Sequence, residues 1–470
     1  MKNKIDNFLQ LEEKEELYNY SYSFKNIMMY PVIRSFLLEQ ITEELYNFKY
    51  EDANIKSLFI KIKFVFKALF YRIPGKIKSD IIIFDTDLSN RKQDNKYFNF
   101  ISEYFANEYP DKTVLIEGSH KLDFSRPRTY PKVYGHDFLL LKSLFKSKFK
   151  ATNNKDIQKI DAFLQCLKKQ LKEQFNFEFS NNNNWNKMRA LLLRGLKRIP
   201  SLYNEHINLY KKMSPKVILV KNGCRGGYNK IPLIMAAKDL NIPIGEHTHG
   251  IPDYVVIYNY SPKLFNSYKY YLPDFFMTTG KSTLKMLNMP IKIYETGYPY
   301  LSEIIKKYNI KEKENILVYM SARYEPEMYI EEVLFLNKKL ASAGISIQFR
   351  IHPQEIEKIN TVYKPILDAG ISIDSYLTKP IHDSLSRAKY VVSGGGTSAL
   401  SEALAFGCNV FIKDSPLNND FMNMSLFNVY KNKEEVSKII LNNKHIKNTT
   451  YNILTENWQK EYHKLIDSFL

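Results

Sequence analysis

Cysteine is scarce, with 3 in 470 residues. No Cys-x-x-Cys pair occurs, which excludes a disulfide framework and a thiolate metal site and fits a reducing cytoplasm. Cys166, Cys224 and Cys408 read as small buried residues. Long apolar runs are also missing. The best, Leu58 to Tyr71, is broken by Lys61, Lys63 and Lys67 and is too short to span a bilayer. Met1-Lys-Asn-Lys-Ile-Asp6 leads into a polar helical pattern rather than an apolar core, so a signal peptide is not expected. Acidic residues are outnumbered, 50 against 68 Lys+Arg, for a net charge of +18. This excess is spread along the chain with Asn, Ile and Tyr. Without a zinc finger, an RNP-like aromatic motif or a concentrated Arg stripe, nucleic acid is not an expected partner. Anionic head groups and phosphorylated substrates fit the charge better.

A hydrophobic content of 44% over this length implies a folded chain of two domains. Residues 1–75 read as a helical N-terminal segment. Its basic, apolar stretch Ile55 to Arg72 is either a helix packed on the domain with snorkelling lysines or a contact with the inner-membrane surface. From there, strands and helices alternate. Asp80–Phe84, Lys112–Glu117, Pro215–Val220 and Ile242–Glu246 read as strands, with a helix near 96–108 and a helical insert over 137–213. Further strand-like runs begin at Phe275, Ile291, Ile316, Ile345, Ile371, Tyr390 and Asn409. The pattern predicts an α/β fold of two Rossmann-like domains facing a cleft. The expected borders are 76–275, 276–450 and a C-terminal helix over 451–470.

Open α/β sheets bind ligands at the carboxyl ends of their strands, and several polar groups fall there. Ser393-Gly-Gly-Gly-Thr-Ser398 follows Tyr390–Val392 and opens into a helical pattern. Backbone N–H groups at such a turn can approach a phosphate, whose charge the helix dipole favours. Ser393, Gly394, Gly395, Gly396, Thr397 and Ser398 are therefore expected to bind phosphate. Glu402, a turn further on, would reach a ribose diol. In Arg350-Ile-His-Pro353, the proline ends the strand. His352 can give a departing phosphate a hydrogen bond or a proton, and Arg350 can pair with an anion. Arg323, in Ser321-Ala-Arg-Tyr324, is a further phosphate ligand.

Glu246-His-Thr-His-Gly-Ile-Pro252 follows another strand. Either His249, beside the permissive Gly250, or Glu246 would serve as general base. Glu246 can alternatively orient the imidazole. Asn222, in Asn222-Gly-Cys-Arg-Gly-Gly227, together with His247 and Gly250, would line the acceptor side. Asp85-Thr-Asp87 reads as a loop or cap rather than a metal-binding pair, and no metal site is expected.

On His249-Gly250, His352-Pro353 and Ser393–Ser398, the chain resembles the GT-B glycosyltransferases of bacterial surface polysaccharides over about residues 215 to 415. Similar His-Pro and Ser/Thr elements occur in sialyltransferases and Kdo-transferases that use CMP-sugars. CDP-glycerol polymerases of teichoic acid synthesis share His-Gly and His-Pro elements. The resemblance implies a metal-independent transferase without a cofactor, its nucleotide-sugar donor held by the C-terminal domain. The acceptor, a glycan or lipid-linked glycan, would be held by the N-terminal one. It also implies a place in the cytoplasm or at the inner-membrane surface, in capsule or lipopolysaccharide synthesis. A CDP-alditol phosphotransferase, a UDP-sugar 2-epimerase and a non-catalytic assembly protein are the alternatives. The acidic Asp/Glu-Asp/Glu-Gly motif of the sialyltransferases has no clear counterpart here.

Overall fold

The run Ile81-Ile-Ile-Phe84 is apolar at every position, as suits a strand covered on both faces. The computed structural model describes residues 6–46, 58–75, 77–119, 124–148, 153–247, 258–284, 287–308, 312–321, 326–375, 377–442 and 453–470. In it this run forms β1 (Ile81–Thr86), whose Ile82 and Phe84 enter one core cluster and Ile81 and Ile83 another. A hairpin of β2 (Asn90–Gln93) and β3 (Lys96–Asn99) follows. The helix expected over 96–108 therefore begins only at Ser102. The next strands are β4 (Thr113–Gly118), β5 (Val133–Gly135), β6 (Val217–Lys221), β7 (Ile244–His247), β8 (Phe275–Thr278) and β9 (Lys292–Glu295). With β1 they make a seven-stranded parallel sheet, ordered β5-β4-β1-β6-β7-β8-β9. The helical insert is present as Asp137–Lys148, Asn154–Phe175 and Asn183–Met213.

The second sheet is built from β10 (Glu314–Met320), β11 (Ser346–Arg350), β12 (Ser372–Asp374), β13 (Ala388–Ser393), β14 (Asn409–Lys413) and β15 (Asn428–Tyr430). It is also parallel, ordered β12-β11-β10-β13-β14-β15. The fold is thus the expected α/β pair of Rossmann-like halves. In each sheet the chain works outward from its first strand and then returns to the other side. The order reverses between β1 and β6, and again between β10 and β13. A crevice at such a switch point is where an open α/β sheet takes its ligand.

The borders between units depart from the sequence reading. β8 pairs with β7, so the first sheet runs on to Glu295 instead of ending at 275. The C-terminal helix, Trp458–Asp467, packs back on the first half: Tyr462 lies 4.7 Å from Phe105, and Phe469 stacks on Phe275 at 5.4 Å. Gly297 permits this return. A Cβ there would stand 2.6 Å from that of Trp458, and its φ of +86° suits glycine.

Residues 6–46 are woven into the first half. Leu17, Met29, Ile33 and Leu37 share a core with Ile82 and Ile218. Arg34, wholly buried, donates from Nε to Glu12 Oε1 at 2.6 Å and from Nη2 to the Asn259 carbonyl, its guanidinium 3.9 Å from the Tyr260 ring centre. Glu12 Oε2 accepts the Ser261 N–H at 2.8 Å.

Candidate functional site

At the second switch point, β10 and β13 end side by side, with Met320 in register with Ser393. The Ser393 hydroxyl lies 2.9 Å from the Met320 carbonyl and 2.7 Å from that of Gly395, and accepts the Gly395 N–H at 3.3 Å. Gly394 has no room for a side chain, since a Cβ would lie 2.6 Å from the Tyr329 ring. Asn418 braces the turn. Its Oδ1 accepts the Gly396 N–H at 2.8 Å, and its Nδ2 donates to the carbonyls of Gly394 (3.0 Å) and Lys413 (2.8 Å). Thr397 then caps the helix Ser398–Ala405, accepting the Ala399 N–H at 3.4 Å. Among the described residues, the N–H groups of Thr397 and Ser398 find no protein acceptor. They are the first donors of the helix, where its dipole favours an anion.

β11 brings the neighbouring groups. Ser321 donates its N–H to the Arg350 carbonyl at 3.0 Å, and its hydroxyl accepts the His352 N–H at 2.8 Å. This fixes the His352 backbone beside the end of β10. Arg350 is placed differently from the expectation. It is buried, its Nη1 donates to the Lys379 carbonyl at 2.6 Å, and Asp374 and Asp383 are close enough to act on its charge. It anchors the loop before the helix Ile381–Arg387. Glu402 is bonded to His382 Nε2 at 2.9 Å and would reach a ribose only by releasing that partner. Arg323 lies outside the described residues.

The first switch point gathers a charged cluster whose lysines, Lys221 and Lys230, the sequence did not single out. Asp85 is the last residue but one of β1, and Lys221, ending β6, stands 3.2 Å from its Oδ1. Burial pushes the Asp85 carboxyl up, but Lys221, His247 and the Thr86 N–H outweigh this and hold it below the usual range. Asp85 is therefore paired inside the protein. Lys230, on the helix Gly227–Asp239, feels both Asp85 and Glu246 yet has no hydrogen bond or ion pair among the described residues. Burial lowers its ammonium to about 8.

Glu246 is fully enclosed on β7. Its carboxylate accepts the Cys224 N–H at 2.5 Å and the Tyr258 hydroxyl at 3.1 Å, and burial raises its pKa. This arrangement holds the 222–224 turn in place and leaves the carboxylate poorly presented to a substrate. Asn222 begins that turn with a φ of 57°, and His247 is buried near Asp85 and Phe105. His249 and Gly250 lie outside the described residues. A further carboxyl, Asp137, is pushed up to about 7 by burial and by neighbouring Asp87 and Glu117, against the Ser119 N–H that it accepts.

The two crevices are joined by contacts between the halves. The Tyr46 hydroxyl bonds the Asp420 carboxylate, two residues beyond the bracing Asn418. Leu417 packs against the core of the first half. Tyr300 bridges Phe100 (5.0 Å) and His382 (5.6 Å).

Behind the first cluster, His206 is buried against His136, Phe84 and Tyr210, and neither ring nitrogen has a hydrogen-bond partner among the described residues. Burial, with Lys230 nearby, lowers its pKa from 6.5 to about 3. The unfolded chain therefore binds a proton first as pH falls, and stability is lost between pH 6.5 and about 3 at about 1.4 kcal/mol per pH unit for this group. His206→Phe is expected to remove that share of the slope in urea titrations across the window. An unchanged slope would contradict burial of the neutral form.

No protein-family model matches the sequence, and no curated protein is similar to it. Solved structures with related folds include a UDP-GlcNAc 2-epimerase from Methanocaldococcus jannaschii, with TM-score 0.46 and 11% identity, covering 83% of this chain and 98% of the other. MurG from Acinetobacter baumannii matches with TM-score 0.42 and 9% identity over 83% and 99% of the two chains. The wall teichoic acid polymerase TagF matches with TM-score 0.40 and 11% identity over 93% and 92%. Likenesses this distant assign no activity to the chain.

Proposed function

We infer that the protein is a metal-independent glycosyltransferase that moves a sugar from a nucleotide-activated donor, a CMP-sugar or another nucleotide-sugar, to a surface-glycan acceptor. The observation that carries this reading is the second switch point, where a braced glycine turn leaves two helix N–H donors without acceptors among the described residues, across the end of β10 from His352. A donor phosphate fits those N–H groups. The acceptor sits over the first switch point. Its hydroxyl loses a proton to His249, while Glu246 fixes the adjoining turn. The acceptor oxygen bonds to the anomeric carbon as the bond from that carbon to the phosphate oxygen breaks. The leaving nucleotide takes the electron pair, its charge met by the turn and by His352. Lys230 and Lys221 supply positive charge on the acceptor side. Water is excluded where the two crevices meet.

The test offers UDP-, CMP-, GDP- and dTDP-sugars and CDP-glycerol with and without a glycan or lipid-linked glycan acceptor. Nucleotide release that depends on acceptor, with a new glycosidic bond, is the expected outcome. A phosphodiester product would make the enzyme an alditol phosphotransferase. Epimerised donor without acceptor would make it an epimerase. Neither binding nor turnover would leave a non-catalytic assembly protein.

A further inference from the structure

The helix Leu58–Phe70 is turned inside out relative to an ordinary surface helix. Phe64 and Ala68 face the protein, with Phe64 stacked on Phe124 at 5.7 Å. Ile62, Val65, Phe66, Leu69 and Phe70, which share the opposite stripe at helical spacing, stand in solvent. Phe66 is 70% exposed and Phe70 81%. The helix Asp137–Lys148 packs beside it and adds exposed Leu144 and Phe145. Grouped apolar side chains of this size on a surface mark an interaction site.

Charge identifies what covers it. Residues 58–79 carry six basic side chains and no acidic one, and residues 138–150 carry four lysines and no acid. Lys63 and Arg72 are exposed beside the apolar stripe. A phenylalanine-rich stripe rimmed by lysine and arginine matches the boundary between head groups and acyl chains of an anionic bilayer. No described helix is long and apolar enough to cross a membrane, so the contact lies in the plane of the surface.

We propose that the Leu58–Phe70 helix, with Leu144 and Phe145 beside it, docks this protein on an anionic lipid bilayer. The same end of the molecule holds the ends of β4 and β5, because Phe124 touches both Tyr71 and Gly135. Docking therefore brings the first sheet's strand ends toward the lipid surface. The proposal stands apart from the nucleotide reading and survives its failure.

The test is flotation of the full chain with phosphatidylcholine vesicles made with and without phosphatidylglycerol, at low and high salt. Lys63 and Arg72 near the surface should favour the anionic vesicles by about thirtyfold, an advantage that salt removes. Phe66→Glu with Phe70→Glu is expected to lower binding more than tenfold (~0.8 kcal/mol is lost per CH₂ withdrawn). Both side chains are exposed, so the variant should keep the wild-type melting temperature, which is measured alongside. Wild type that fails to float with anionic vesicles, or a double variant that floats as well as wild type, would overturn the proposal. A lipid-free dimer dissolved by the double variant, without vesicle binding, would assign the patch to a second copy instead.

Discussion

His352→Ala is expected to lower kcat by about 10²- to 10⁴-fold, the usual weight of a positioned acid, and to change nucleotide affinity far less. The reason lies in how the residue is held. Ser321 fixes its backbone, Pro353 follows it, and β11 sets it next to the end of β10, the strand that separates it from β13. An imidazole there acts on charge that develops as the donor bond breaks, so its removal affects the transition state more than the ground state. Steady-state kinetics with direct measurement of nucleotide binding checks this. Equal losses in kcat and affinity would make His352 a binding residue, and unchanged kcat would remove it from the reaction.

Arg34→Met is expected to destabilise the first half by about 3–5 kcal/mol, because it leaves the Glu12 carboxylate buried without its cation. The surroundings make this severe. Both side chains are almost wholly excluded from water, and the guanidinium also serves the Asn259 carbonyl and lies over Tyr260. Converting Glu12 to Met as well should recover much of the loss, since replacing both charges removes the uncompensated one. Urea denaturation of the two single variants and the double gives the coupling. An Arg34→Met chain as stable as wild type would show that the pair does not anchor the N-terminal residues.

The strand ends were legible because the chain marks them locally. Ile81-Ile-Ile-Phe84 and Tyr390-Val-Val392 are continuous apolar runs, and Gly394 to Gly396 follow the second as a turn must. The register of strands far apart in sequence was not legible. Nothing local in Phe275–Thr278 states that it pairs with β7, and Trp458 gives no sign that it will rest on Gly297. Lys230 looks like one more surface lysine in a lysine-rich chain until the fold sets it near Asp85 and Glu246. No local pattern marks Asn418, which braces Gly394 and Gly396 from 22 to 24 positions away. A signal was present for Arg350, whose neighbours in sequence suggested an anion site. The acids whose charge acts on it, Asp374 and Asp383, belong to segments brought in by β12 and the helix after it.

The central claim is that the glycine turn of the second half holds a nucleotide phosphate, and Ser398→Glu tests it most directly. A carboxylate in the first turn suits the helix itself, so the variant should fold as well as wild type while its charge repels a phosphate. Melting temperatures are compared with and without CMP, CDP, UDP, GDP and dTDP. The account predicts that one nucleotide stabilises the wild type, by about 2.7 kcal/mol at a hundred times its Kd, and leaves Ser398→Glu unmoved. A wild type that no nucleotide stabilises, or a variant stabilised as much as wild type, would contradict it.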